Sequence, residues 1–290
     1  MNMAFGMENM PSDQKKWIDQ AMHAYLPKKK TLRALMAEET VDASQTTNIY
    51  GRLTQSYSDA KGYYSMDDPT PLADGARPVI DSMGFEDASS TQKTWSHAYT
   101  VERKLLKSGL PFQKAAVARA AVELVNTIEN KINTALNTAW QSSMAQTFSA
   151  GSGTWATTGD PVADINAAKT AFKKRSGGMD ANFLAINPDN VLYLKNDFRF
   201  QNALYSPTSK VLEDGTIVKN PGGLELVEET AVTAGSFFMG AKGMFGRLLI
   251  SEPYMVKETD QGVAGSLYEG LFTYVDQYPL PQYGMYGTGI

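Results

Sequence analysis

One uninterrupted stretch constrains the fold of this chain more than any other feature. Neither Gly nor Pro occurs from Phe112 to Ala150, and Pro111 suits the first position of a helix. Apolar residues recur here every three or four positions: Val117, Ala121, Leu124/Val125, Ile128, Ile132, Ala135/Leu136 and Ala139. We therefore predict a helix over 111–148, about 57 Å long at 1.5 Å per residue.

A helix of this length can form a coiled coil or lie across a sheet. Its apolar stripe is rich in alanine, spans about three heptads and lacks the e/g charge pairs typical of coiled coils. The pattern therefore favours a helix that packs on a sheet of the same chain.

The segment before this helix has a different character. Residues 41–90 are rich in Ser, Thr, Asp, Gly and Tyr, with three prolines and no helical periodicity. A strand is predicted next, because Trp95, His97, Tyr99 and Val101 alternate with the smaller residues Thr94, Ser96, Ala98 and Thr100. About fifty extended residues cannot form their own core, so we predict a protruding arm or a functional loop that rests on another surface.

The other elements predict an α+β fold. A short amphipathic helix is expected over 12–26, and Asp160 and Pro161 mark the start of another helix. A buried strand at 183–186 is followed by a short helix over 188–194, and Asp214-Gly215 predicts a hairpin. Further strands are expected at Leu224–Val227, Phe237–Met239, Arg247–Ile250, Tyr254–Val256 and Leu271–Val275.

Composition and motifs exclude several classes of function. The net charge is −4, which disfavours a dedicated nucleic-acid binder, and with no cysteine and only two histidines the usual zinc and iron–sulfur sites are unavailable. His97 has no catalytic partner nearby in sequence, so we predict a packed or surface histidine. Adjacent carboxylates make poor acid–base pairs, so we predict solvated loops for Asp67-Asp68, Glu228-Glu229 and Glu38-Glu39.

Motifs for phosphate, dinucleotide, nucleophilic or zinc chemistry are missing from the sequence. No apolar run reaches the length of about 20 residues that a membrane helix needs. We expect no enzyme, no cofactor and no membrane span. An alternative from a different class of function is an enzyme whose site is assembled from scattered residues.

One local motif and the order of the elements carry a resemblance to a known family. The motif is Phe183-Leu-Ala-Ile-Asn-Pro-Asp-Asn-Val-Leu-Tyr-Leu-Lys-Asn-Asp197, and the glycine after Phe237-Phe-Met239 also fits. Together with the extended segment and the long helix, they resemble the major capsid proteins of tailed double-stranded DNA viruses, which have the Hong Kong 97-like fold.

The resemblance implies a division of the chain into four parts. It implies an N-terminal arm over 1–49, an extended loop over 50–101 and an axial domain over 160–230. A peripheral domain would combine 102–159, which contains the long spine helix, with 231–290.

The resemblance also implies a function and partners. The subunit would form homo-hexamers and homo-pentamers that close an icosahedral shell around double-stranded DNA, without sequence-specific contact and without membrane. Portal, scaffolding and cementing proteins are further expected partners, with assembly in the host cytoplasm and a final location in the virion. The loop would lie over a neighbouring subunit, through Tyr57, Lys61, Tyr63, Tyr64, Asp67, Asp68, Arg77 and Trp95. Lys28, Lys29 and Lys30 are the candidates for a surface that faces the genome.

Some members of this family join their subunits by a Lys–Asn isopeptide bond. Lys61 and Lys93 could be compared with the donor, but no asparagine follows Asn220, so we expect no such crosslink. Many relatives carry a helical scaffolding segment, but only about forty residues precede the loop here. Either such a segment was cleaved or a separate scaffold is used, and the initial Met1 favours a separate scaffold. The alternative on the same fold is an encapsulin, a shell that encloses enzyme cargo instead of a genome.

Overall fold

The structure is a computed structural model that describes residues 32–41, 47–53, 85–102, 104, 110–151, 153–196, 223–261 and 265–290. The predicted helix over 12–26 and the hairpin at Asp214-Gly215 lie outside these residues. The helices are α1 (Leu110–Ser143), α2 (Pro161–Arg175) and α3 (Pro188–Asn196), and 3-10 turns cover Leu32–Leu35 and Pro281–Tyr283. The strands are β1 (Ala37–Thr40), β2 (Thr47–Leu53), β3 (Phe85–Thr91), β4 (Lys93–Glu102), β5 (Gln146–Ser149), β6 (Phe183–Ile186), β7 (Glu225–Glu228), β8 (Ser236–Gly240), β9 (Arg247–Asp260), β10 (Gly265–Gln277) and β11 (Gly284–Thr288).

The first sheet has the strand order β1-β9-β10-β4, and α1 packs against β4 and β10. The predicted alternation in β4 is confirmed: Trp95, Tyr99 and Val101 are more buried than the residues between them. A residue on the neighbouring strand β10 shows which element packs against this face. Gly270, which pairs with His97, lies so close to α1 that an added Cβ would sit 3.2 Å from Ile128 Cδ1. The helix therefore covers the face of the sheet that carries Trp95 and Tyr99.

Strand β9 is longer than the sequence predicted. Arg247–Ile250 and Tyr254–Val256 were expected as separate strands, yet both belong to one strand of 14 residues. Its pairing with β10 shifts twice, between Ile250 and Met255. Pro253 lies in this interval and has no N–H to donate to a ladder, which fits a bulged position rather than a regular one.

The second sheet has the strand order β5-β11-β8-β6-β7, and α2 contacts β5 and α3. All four residues of β6 are buried, as expected for a central strand. The motif that follows β6 forms its turn through one side chain: Asn187 Oδ1 accepts from Asp189 N at 3.0 Å, and Asn187 Nδ2 donates to Val232 O at 2.8 Å. The predicted strand and short helix are both confirmed.

One sequence prediction needs correction, and the structure also shows how the strands are distributed between the sheets. Helix α1 ends at Ser143 and not at Phe148, because residues 146–149 form β5 and pair in parallel with β11. The strands after Ala231 were grouped in one unit with the long helix. In the structure β9 and β10 lie in the first sheet, whereas β8 and β11 lie in the second.

One aromatic cluster joins the C-terminal half of α1 to the second sheet. Trp140 is fully buried and makes edge-to-face contacts with Phe238, at 5.3 Å between ring centroids, and with Phe245, at 4.9 Å. Phe183 of β6 completes the cluster at 6.4 Å. Such aromatic pairs stabilise a core beyond their buried area.

Helix α2 begins where the sequence predicted. Asp160 Oδ1 accepts a hydrogen bond from Ala163 N at 2.9 Å, and Pro161 occupies the first turn. The side chain thus satisfies one of the amide donors that a helix leaves free at its start.

Replacing Asp160 with alanine will lower the free energy of unfolding by about 1 kcal/mol, because this amide loses its acceptor. Urea unfolding followed by circular dichroism measures the change. Asp160→Asn is the matched variant and should retain most of the stability, because asparagine also caps helices. An equal loss in both variants would contradict a capping role.

Candidate functional site

The extended loop predicted over 50–101 contains β3 and most of β2, which form a two-stranded ribbon, and it ends in β4 of the first sheet. Strands β2 and β3 pair in antiparallel from Thr47↔Thr91 to Leu53↔Phe85, separately from both larger sheets. Seven of the eight predicted contact residues and the predicted genome-facing lysines lie outside the described residues: Tyr57, Lys61, Tyr63, Tyr64, Asp67, Asp68 and Arg77, and Lys28, Lys29 and Lys30. Their contacts stay predictions.

Trp95 is the one predicted contact residue that the structure describes. It pairs with Phe272 on the face of the first sheet that α1 covers, and it is half-buried against the core of its own subunit. Much of its surface is therefore already used within the chain. The period-two pattern identified the strand but could not show which face the helix covers.

Several polar contacts fix the ribbon to the body of the subunit. Leu53 N donates to Pro279 O at 3.0 Å, and an Arg52 guanidinium nitrogen donates to Ser143 O at the end of α1, at 3.4 Å. At the other end of the ribbon, Gln92 Nε2 donates to Ser251 Oγ at 2.9 Å. The ribbon is thus held at both ends, by β9, by the end of α1 and by the segment after β10.

Lys93 follows the ribbon directly and forms an ion pair within the subunit. Its Nζ lies 2.8 Å from Asp276 Oδ1, and the phenol of Tyr278 donates to the other oxygen of the same carboxylate at 3.1 Å. The sequence analysis compared Lys93 with a crosslink donor. In the structure its ammonium group is paired with Asp276, which neutralises a carboxylate that is almost completely buried.

Two tyrosines next to this ion pair resist ionisation. Burial, the largest cause, together with the charges of Asp276 and Glu129 raises the pKa of Tyr274 from 10.0 to about 12. Burial, again the largest cause, and the adjacent Asp276 raise the pKa of Tyr278 well above 10.0. Both phenols are therefore neutral in the folded subunit, even at moderately alkaline pH.

Stability will fall in alkaline solution as a result. Below pH 10 both phenols are neutral in the folded and unfolded chains, so their contribution is constant. Above pH 10 these tyrosines ionise in the unfolded chain before they ionise in the folded one. Each of them then lowers the free energy of unfolding by about 1.4 kcal/mol per pH unit, until the pH exceeds the pKa of that tyrosine in the folded state. Urea unfolding between pH 9 and 12 should show this decline, and Tyr274→Phe should make it shallower. An unchanged slope in that variant would argue against the raised pKa.

A second polar cluster joins the segment at 32–41 to α1. Two nitrogens of the Arg33 guanidinium contact Glu38 Oε1 at 2.7 Å and Glu129 Oε1 at 2.8 Å. The same guanidinium lies 4.8 Å above the ring of Phe272. Glu129 is only 2% exposed and Arg33 is 15% exposed, so this ion pair is largely shielded from water.

The polar side of α1 is more buried than its sequence suggested. Asn133 Nδ2 donates to Glu229 Oε2 at 3.0 Å, and Asn137 and Gln141 both donate to Thr233 Oγ1. Glu229 is buried, so the prediction of a solvated loop for Glu228-Glu229 is wrong at this residue. The sequence does contain one indication of this polar contact surface: Glu129, Asn133 and Asn137 follow an i, i+4 spacing, which places all three on one face of the helix.

Neither a metal-binding cluster of side chains nor a membrane-spanning helix occurs in the part of the chain that the structure describes. Among them, no cluster of three or more His, Asp or Glu side chains could bind a metal ion. None of the described helices is both long and apolar enough to cross a membrane. The polar contacts described above attach the ribbon and residues 32–41 to the rest of the subunit.

A comparison with protein families decides the class of protein. The family model described as phage capsid protein matches residues 85–274, which run from β3 to β10. This chain belongs to the phage capsid protein family. A phage capsid protein has a structural role in the viral shell, and the resemblance inferred from the sequence is confirmed at the level of family and fold.

Solved structures share the fold of this phage capsid protein at low sequence identity. The virus-like particle from Pyrococcus furiosus has a TM-score of 0.59 at 9% identity, covering 93% of this chain and 98% of the other. The capsid of the cyanophage P-SCSP1u has a TM-score of 0.59 at 11% identity, covering 90% and 88%. A phage-related protein from Bordetella bronchiseptica RB50 has a TM-score of 0.58 at 16% identity, covering 94% and 96%. No curated protein sequence shows significant similarity.

Proposed function

We propose that this capsid protein assembles with copies of itself into hexamers and pentamers that close an icosahedral viral head around double-stranded DNA. The observation that carries the proposal is the family match over residues 85–274. The fold shared with the cyanophage capsid over nine-tenths of the chain supports it. The role is structural and requires neither catalysis nor a cofactor.

The two sheets support a division of the subunit into two domains. We assign α1 and the four-stranded sheet to a peripheral domain, and the five-stranded sheet with α2 and α3 to an axial domain. This changes the division proposed from the sequence, because β8 and β11 move to the axial domain. Residues before β2 form the N-terminal arm, and the ribbon with residues 54–84 forms the extended loop.

We propose that residues 54–84 contact a neighbouring subunit. Both ends of this segment lie on the ribbon, and the Leu53 end is anchored on the body by Pro279. The residues expected to make the contact are those singled out from the sequence between Tyr57 and Arg77. We further propose that Lys28, Lys29 and Lys30 face the packaged DNA. Portal, scaffolding and cementing proteins are the proposed partners during assembly in the host cytoplasm.

The proposal is tested by measuring the mass of the purified protein by light scattering and imaging the same fraction by negative-stain electron microscopy. We expect closed shells or rings of capsomer size, alone or after co-expression with a scaffolding protein. A monodisperse monomer under every salt condition and with scaffold present would refute self-assembly.

A second candidate is a shell that encloses protein cargo, as an encapsulin does. The similarity to the virus-like particle from Pyrococcus furiosus, which extends over nearly the whole of both chains, favours it. Nuclease-protected DNA inside purified shells would support the viral head, whereas a co-purifying enzyme would support the cargo shell. The ratio of absorbance at 260 and 280 nm and a denaturing gel separate the two.

A further inference from the structure

The two larger sheets have four edge strands, and one of these differs from the other three. Strands β1, β5 and β7 have four residues each, whereas β4 has ten, Lys93–Glu102. An edge strand presents main-chain N–H and C=O groups onto which another strand can add, and a very short edge strand limits such pairing. The length of β4 therefore sets it apart as a surface for strand addition.

The edge of β5 is also covered by a side chain. The amide of Ala150 donates to Thr288 O, so the alternation along this parallel pair turns Thr147 O away from β11. The guanidinium of Arg175 donates to Thr147 O at 2.7 Å. Arg175 thus occupies an acceptor that an added strand would need.

Strands β1 and β7 carry charged side chains, which also oppose the addition of a strand. In β7, Glu225 pairs with Lys242 and Glu228 pairs with Lys195. In β1 the two middle residues are glutamates, at positions 38 and 39. All three short edge strands are therefore protected against pairing with another chain.

Strand β4 has none of these protections between its two ends. Its charged residues are Lys93 and Glu102, at the first and last positions, and it contains no proline. Its register with β10 runs without a shift along the whole strand. Among the described residues, no main-chain hydrogen bond reaches the edge of β4 that faces away from β10. This edge is long, regular and open.

The side chains beside the open edge are small and uncharged. Thr94, Ser96, Ala98 and Thr100 are all exposed and alternate with the residues that α1 covers. They therefore lie on the face of the sheet away from α1. A second strand that approaches this edge meets no bulky or charged side chain on that face.

We propose that β4 pairs in antiparallel with β4 of a second copy of this chain, about a two-fold axis normal to the sheet. Such an axis reverses the strand direction and keeps the exposed faces of both sheets on the same side. Residues directly opposite each other in an antiparallel pair share a face, so one residue lies opposite itself at the axis. Ala98, in the middle of the exposed row, is that residue. The strand fits itself because its neutral centre brings no like charges together.

This inference rests on the proposed self-assembly and assigns the contact a place in the shell. A contact about a two-fold axis uses the same surface on both copies, whereas the contacts around a ring join two different surfaces. An icosahedral shell has two-fold axes between its capsomers. The paired β4 strands therefore join neighbouring capsomers, and they merge two four-stranded sheets into one of eight strands.

The first test uses crosslinking, since the chain contains no cysteine. In assembled shells, mildly oxidised Ala98→Cys should give a disulfide-linked dimer on a non-reducing gel, because opposite residues lie about 5 Å apart. Thr100→Cys is the matched control and should give little dimer, because its two copies are four positions apart, about 13 Å. Combining Thr100→Cys with Ser96→Cys should restore the crosslink, since these two residues lie opposite each other.

A dimer that forms with A98C and with S96C/T100C, but not with T100C alone, would support the self-pairing and its register. Equal crosslinking of A98C and T100C would overturn it. The absence of any crosslink in intact shells would also overturn it, and would indicate that another segment or another protein covers this edge.

The second test places charge at the axis. Ala98→Lys sets two ammonium groups opposite each other, so the yield of closed shells should fall about tenfold while rings of capsomer size persist. The unassembled variant should melt at the temperature of the wild type, because Ala98 is exposed. Ala167→Lys makes the same change at an exposed position of α2 and should assemble normally.

Normal shells from A98K would overturn the proposal, and so would an equal loss of shells in A98K and A167K. If the wild type itself does not assemble, the proposed function fails instead, so the two failures are distinguishable.

Discussion

Replacing Trp140 with alanine will lower the free energy of unfolding by about 3–5 kcal/mol, the cost typical of truncating a fully buried aromatic residue. Its indole is the centre of the cluster formed with Phe183, Phe238 and Phe245. Removing it leaves a cavity between the helix and the second sheet that rigid strands cannot close. Urea unfolding of the unassembled subunit, followed by circular dichroism at 222 nm, measures the loss.

Two variants make this result specific. Trp140→Phe keeps an aromatic ring in the cluster and should recover much of the stability. Leu192→Ala removes an apolar side chain that is more than half exposed, so it should change the free energy by less than about 0.5 kcal/mol. A W140A effect as small as that of L192A would show that the cluster does not support the fold.

Replacing Arg33 with alanine will destabilise the subunit by about 3 kcal/mol. The variant leaves the carboxylate of Glu129 buried without its cationic partner, and breaking a buried ion pair costs more than the pair itself contributes. It also removes the stacking on Phe272. We expect lower stability and faster hydrogen exchange in residues 32–41, measured by mass spectrometry.

A double variant that replaces both charged residues with methionine is the control for the effect of the unpaired charge. Arg33→Met combined with Glu129→Met removes both charges and fills a similar volume, so it should recover most of the stability that R33A loses. A double variant as unstable as R33A would contradict the explanation based on an uncompensated charge. It would indicate instead that the remaining contacts of Glu129 maintain the helix.

The sequence correctly predicted the helices and strands that are determined by residues close together in the chain. The start of α2 follows from a capping aspartate and a proline within two residues, and the β6–α3 motif follows from Asn187 and Pro188. The buried stripe of α1 follows from its periodicity, although Trp140, four residues after Leu136, was not included in it. These features depend on neighbours in sequence and are accessible to pattern analysis.

The parts that the sequence did not reveal depend on distant residues. Helix α1 was extended too far because the strand that ends it pairs with residues near 286. Arg33 and Glu129 are 96 positions apart, so no local pattern could pair them. The exposure of Ile49 was likewise invisible, because an isoleucine in a strand pattern is ordinarily expected to be buried.

The interleaving of the two sheets has a kinetic consequence. The chain passes from one sheet to the other between α1 and β5, between β8 and β9, and between β10 and β11. Most strand pairs thus join segments far apart in sequence, and such topologies fold slowly because long loops must close first. Both sheets become complete only after the last strands are synthesised. The ribbon in contrast pairs β2 with β3, which lie closer together along the chain. The contacts that hold the ribbon on the body, at Ser251 and Pro279, nevertheless lie late in the chain. The ribbon therefore gains them only when the body folds, and slow folding prolongs the time in which unpaired strands can contact other chains.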